Sequence, residues 1–417
     1  MVKKRNGAID FWRFVFAIVL VIFHTCMLDH DGVYEAQGFL FPFPLGSLAV
    51  EFFLLTSGFL FAKSLNKRPE NDILSWKGTW SFFKGKLMSF YPAYVICVIL
   101  TYTVVTVTRL IYVVPPLTGF TDKAADIKTL LGTFVRELYE LTLLRNLGVN
   151  FERLLDQAWY LSAMLLVMLI LYPLYAKNKR RFEYFIAPIL AVCLLGFMIM
   201  HGDTLLNPSD SYKLMNDYTI TFKGNVRVLA EICLGVVCYR VCEWLKKKDF
   251  TAFGRIALAI AELFGYVFSI LYMSALAAWN YNMNGAWFKI TKAVADASGY
   301  EGTLEMGWNR SYDYLEYAML FFLALSVVIT FSEKSVISPL FNHRIFSILG
   351  QYSLYPYLLY SVYTETLPIW FPEMELNSMM IWYVVLTLIT AAVVMILHTL
   401  GRNLLRKRKA KRLAAEG

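Results

Sequence analysis

Residues 5–25 read "RNGAIDFWRFVFAIVLVIFHT", an apolar run long enough to cross a bilayer that nevertheless carries Asp10, Arg13 and His24. A membrane-spanning helix needs about 20 mostly apolar residues. Ionisable groups inside one are costly enough that they face protein or a water-filled cavity rather than lipid. Arg13 and His24 are eleven residues apart, so on a helix they share a face, separated by about 16 Å along the axis. Asp10 lies one turn before Arg13 on nearly the same face. The three polar groups therefore form one stripe, with the Asp/Arg pair at one end and the imidazole at the other.

The rest of the chain agrees with a membrane reading. Of 417 residues, 58% are hydrophobic and only 17% charged, and the mean hydropathy is +0.51, which excludes an ordinary soluble globule. Segments of spanning length fall at about 8–28, 46–65, 88–114, 158–176, 183–201, 226–245, 254–279, 313–332, 343–364 and 379–401. They predict an all-α, polytopic integral membrane bundle of about ten transmembrane helices, folded as a single domain over 1–417 with no separate soluble domain. The first segment follows a basic start but contains charge and has no small-residue cleavage pattern, so it is expected to remain as the first span.

Charge alternates between connections. "KSLNKRPENDILSWKGTWSFFKGK", "KNKRR", "EWLKKKDFTAFGR" and "RNLLRKRKAKR" are basic, whereas "DHDGVYEAQ" and "PEMELNS" are acidic or mixed. The positive-inside rule then places both termini in the cytoplasm. The net charge of +9 is thus a topological signal and not a nucleic-acid surface. All six cysteines lie in or beside apolar runs, where they act as small hydrophobes; no disulfide and no metal site is expected. Within the long loop 115–157, residues 127–144 pattern as an amphipathic helix.

Further polar residues sit inside the predicted spans. Glu51, in "VEFFLLTSGFLF", is a second intramembrane carboxylate and needs a cationic partner or a functional environment. Ser57 and Gly58 in the same run read first as small residues that let helices approach closely. Arg227 and Glu231 are four apart, which fits an ion pair within one helix, and Glu262 has no evident partner in the sequence. Trp159, Tyr160, Tyr355 and Tyr360 are candidate pocket walls in a chain with 26 tyrosines. A purely structural role for Asp10 and Arg13 is mutual pairing near the membrane edge, while the shared face of Arg13 and His24 favours a polar cavity or pathway.

In their order these blocks resemble the acyltransferase-3 family of integral membrane acyltransferases, which is mostly bacterial. "RNGAIDFWRFVFAIVLVIFH" is similar to its first-helix signature, and "VEFFLLTSGFLFAKSL" to the second-helix block with its preceding acid. "FFKGKLMSFYPAYV", "QAWYLSAMLLVMLILYPLY" and "FSILGQYSLYPYLLYSVY" resemble the later helices, so the likeness runs over most of the chain. There are departures. Lys86 and Ser89 stand where the family tends to have two arginines, Tyr360 where it often has a histidine, and Met164 where some members have Glu.

The resemblance implies a stand-alone, multi-pass protein of the bacterial plasma membrane. It would move an acyl group, typically acetyl from acetyl-CoA, to a hydroxyl of a glycan or other acceptor on the outer side. On that reading Arg13, Lys84 and Lys86 would bind the donor, and His24 would be general base or acyl carrier with Glu51 beside it. Asp10, Ser57, Trp159, Tyr160 and Tyr360 would support the site, with acyl-CoA as substrate and no permanently bound cofactor. The same ionisable residues leave a transporter as the rival, with Arg13, Glu51 and His24 lining a pathway. No paired, broken-helix repeat of the kind common in transporters is visible.

Overall fold

Backbone amides and carbonyls buried in hydrocarbon must be satisfied within the segment, so long apolar runs fold as helices. The computed structural model describes residues 6–28, 43, 45–68, 75–112, 132, 138–144, 158–201, 203, 205, 211–213, 219–276, 310–341 and 343–416. Helix α1, Gly7–Phe23, starts where the Asn6 side chain accepts the Ile9 N–H at 3.1 Å, and it continues as a 3-10 turn, His24–Leu28. A second 3-10 turn, Gly46–Ala49, leads into α2, Val50–Asn66. The short α3, Trp76–Leu87, is capped by Ser75 and precedes α4, Tyr91–Tyr112.

Helices α5, Ala158–Lys177, and α6, Lys179–Met200, follow, with a π turn at Phe182–Ile186 inside α6. A small antiparallel hairpin, β1 Ser211–Lys213 and β2 Thr219–Phe222, leads to α7, Lys223–Lys246. The remaining elements are α8, Ala252–Leu271, α9, Arg310–Ser332, α10, Arg344–Tyr352, α11, Leu354–Trp370, and α12, Leu376–Glu416.

Eight helices among the described residues are long and apolar enough to cross a membrane. The segment expected at 226–245 is helix α7, 24 residues long, whose ionisable groups keep it out of that set. Arg227 and Glu231 are nonetheless buried, because α7 packs at once against α2, α5, α6 and α9. The segment expected as one helix at 343–364 is two, α10 and α11, parted at Ser353. Pro356 has no N–H to give the Tyr352 carbonyl, so the hydrogen-bond ladder is interrupted at that turn. The amphipathic helix expected at 127–144 lies largely outside the described residues, which show a 3-10 turn at Leu138–Thr142.

Glycines and buried acids hold the bundle. A Cβ on Gly58 would stand 2.3 Å from the Ile232 carbonyl oxygen, and one on Gly235 would stand 2.4 Å from that of Leu55. Helices α2 and α7 therefore touch backbone to backbone, as expected of Gly58. The π turn presents Glu183 to Tyr175, to Asn66 and to Arg240, the last at 3.3 Å, which ties together α2, α5, α6 and α7. Glu262, partnerless in the sequence, accepts from Ser335 Oγ at 2.5 Å and Thr330 Oγ1 at 2.7 Å. Beside them Trp12 of α1 stacks on Tyr266 with ring centroids 4.0 Å apart.

Candidate active site

The polar stripe of α1 forms as its spacing requires. Asp10 is buried and pairs with Arg13 at 3.7 Å, and Gly350 of α10 lies so close that a Cβ there would meet the Asp10 side chain at 2.4 Å. This contact holds the carboxylate on one side and leaves the Arg13 side chain about a quarter exposed. Arg13 lines a cavity of about 370 Å³, a size typical of small-molecule sites.

The cavity is built from several elements. Lys86 and Ser89 come from the end of α3 and the turn after it, Val50, Phe53 and Ser57 from α2, and Tyr160, Leu161 and Met164 from α5. Tyr355 and Tyr357 come from α11, His398 and Arg402 from α12. Ser57 Oγ and Tyr160 OH approach to 3.4 Å. Burial and the neighbouring Arg13 guanidinium push the Lys86 ammonium down to about 8. Lys84 is exposed and absent from the lining, because two residues turn a helix by about 200°. The sequence-based pairing of Lys84 with Lys86 in one site is thus not what the fold brings together.

His24 is buried at the last turn of α1. Its Nδ1 lies 2.6 Å from the Leu20 carbonyl oxygen. A carbonyl only accepts, so Nδ1 is the donor in this contact. The ring stacks on Tyr360, with centroids 3.8 Å apart and planes 23° off parallel. Tyr360 stands one helical turn beyond Tyr357, a wall of the cavity. The imidazole therefore sits about a turn past the cavity's lining on α11, held from below by the backbone and from its face by an aromatic ring.

Glu51 has another partner. Its Oε1 is bound by Arg227, which also donates from Nε to Glu231 Oε1 at 3.2 Å. All three groups are buried, and the Arg227 guanidinium lies over the Trp159 ring at 5.6 Å from its centroid. The expected intrahelical pair exists but is part of a larger network linking α2, α5 and α7. Glu51 Oε1 is held by Arg227, and His24 Nδ1 by the Leu20 carbonyl. Of the three residues of the transport alternative, Arg13 lines the cavity, Glu51 is bound by Arg227, and His24 stacks on Tyr360.

Sequence reasoning missed Arg227 as the partner of Glu51, and it missed His398 and Arg402 as cavity walls. The i,i+4 spacing of the last two was visible, but they merge into the basic run that ends the chain. The family model described as Acyltransferase domain matches residues 6–399, nearly the whole chain. This chain is a multi-pass membrane protein that belongs to the acyltransferase-3 family, and acyl transfer is the activity its family defines. No curated protein and no solved structure gave a significant match.

Proposed function

We propose that the protein transfers an acyl group, acetyl in the simplest case, from a cytoplasmic acyl-CoA to a hydroxyl of a cell-envelope glycan on the outer side of a bacterial plasma membrane. The observation that carries this reading is the polarity of α1, which offers a guanidinium to a cavity at one end and an oriented imidazole at the other. Arg13 and Lys86 offset the charge of the donor's phosphates, and the arm bearing the thioester runs through the cavity toward His24. Ser57 and Tyr160 place hydroxyls along that path.

At the far end His24 Nε2 takes the acceptor's hydroxyl proton as the oxygen attacks the thioester carbonyl. The C–S bond breaks, and the proton passes to the departing thiolate. The C-terminal carbonyls of α1 beside the ring offset the positive charge that it gains. Attack by Nε2 itself, with an acyl-imidazole as intermediate, uses the same tautomer. Mass spectrometry of the cell envelope tests the proposal. An acyl mass is expected to vanish when the protein is removed and to return with the wild type but not with His24→Ala; its return with His24→Ala would refute the role of His24.

A further inference from the structure

Part of the cavity wall is α12, whose His398 and Arg402 lie four residues apart and so on one face. With Arg13 and Lys86 they make four basic side chains converging from three helices, and no Asp or Glu lines the cavity among the described residues. Arg13 is partly offset by Asp10 at 3.7 Å, and among the described residues neither Lys86 nor Arg402 has an ion-pair partner. His398 Nδ1 is fixed against the Tyr355 hydroxyl at 2.7 Å, so its ring belongs to the cavity wall and not to lipid. The charges of Arg13, Lys86 and Arg402, gathered on a wall without carboxylates, repel one another, and a bound polyanion relieves that repulsion, with the His398 ring available as a hydrogen-bonding group. A neutral thioester arm has no use for such a wall; a phosphate-rich head group does.

We propose that His398 and Arg402 form a phosphate-binding subsite, which together with Lys86 grips the nucleotide phosphates of the acyl donor. Ser89 lines the same cavity without charge, so the guanidinium of Arg402 adds to the wall a charge that the turn after α3 does not. The inference rests on the acyl-CoA reading above, and it makes α12 a determinant of donor class: thioesters carried on a phosphorylated nucleotide bind, whereas the bare pantetheine arm does not gain from this wall. Arg402 is exposed and His398 half-buried, so the substitutions are not expected to unfold the bundle.

The test measures binding of CoA and of pantetheine to the full-length protein in phosphatidylcholine nanodiscs. Arg402→Gln is expected to weaken CoA binding at least about fivefold and leave pantetheine unchanged, while Arg402→Lys retains most of the affinity. His398→Gln is expected to act in the same direction with a smaller effect. Equal CoA affinity in wild type and Arg402→Gln would overturn the subsite, as would a parallel loss of both ligands. A loss seen only in phosphatidylglycerol nanodiscs would assign the phosphate to a lipid headgroup and overturn it too. No binding of CoA by the wild type would instead overturn the donor reading on which the subsite rests.

Discussion

His24 Nδ1 lies 2.6 Å from the Leu20 carbonyl oxygen, which can only accept, so Nδ1 donates in that contact. On the proposed reading the base acts through Nε2, the nitrogen that Nδ1's contact with the backbone leaves for the reaction. His24→Gln is therefore expected to lower kcat by at least about a hundredfold while CoA affinity stays within a factor of about two, because His24 lies about 16 Å from Arg13 along α1. Steady-state kinetics with a binding isotherm checks both. Lys86 sets a different dependence. Its ammonium, lowered to about 8, is charged below that pH and neutral above it. Donor KM should rise as pH passes from about 7 to about 9, by up to about tenfold if one charge-assisted contact is lost. Lys86→Arg should flatten that rise, and a rise of the same size in the variant would assign the titration to another group.

The α1 stripe was legible because its residues are joined by one helix, so spacing alone fixes which face they share. Glu51 and Arg227 are 176 residues apart, and nothing in local pattern connects them. The same limit hid the α12 wall: a histidine and an arginine at a helix end look like the start of a basic tail until tertiary packing turns them onto a cavity. Lys84 shows the converse, since proximity in sequence suggested a shared site and helical rotation leaves Lys84 exposed and outside the cavity lining.

Among elements, the α2/α7 crossing and the network beside it decide whether the bundle closes. Gly58→Leu forces a side chain against the Ile232 carbonyl, and it should lower the thermal midpoint far more than Gly196→Leu, where a Cβ meets nothing within 4 Å. Comparable melting of the two variants in detergent would contradict the contact. Arg227→Leu removes the hydrogen-bonding cation of Glu51 and Glu231 and leaves two buried carboxylates, at a cost of about 3–5 kcal/mol. Replacing Glu51, Arg227 and Glu231 together with apolar residues should recover much of that loss, as read by denaturant unfolding. Hydropathy undervalued α7 because its ionisable side chains are answered by protein and not by water. The break at Ser353, by contrast, follows from Pro356, which the sequence displays but whose effect on a spanning-length run only the backbone reveals.

At the scale of the whole molecule the alternation of basic and acidic connections predicts one orientation, with both termini in the cytoplasm and the Arg13 end of α1 on the same side. Terminal fusions check it: a fluorescent protein at the C-terminus should glow, and alkaline phosphatase at the same place should stay inactive. Under the proposed function that orientation would make the reaction vectorial, with the donor's phosphates bound at one face by Arg13 and Lys86 and the acyl group delivered at the other by His24. The most direct measurement follows release of free CoA thiol from acetyl-CoA by purified protein in nanodiscs supplied with an envelope glycan extract. Wild type is expected to release thiol in step with acylation of the glycan, and His24→Ala to bind CoA normally yet release none. Thiol release by His24→Ala at the wild-type rate would contradict the account.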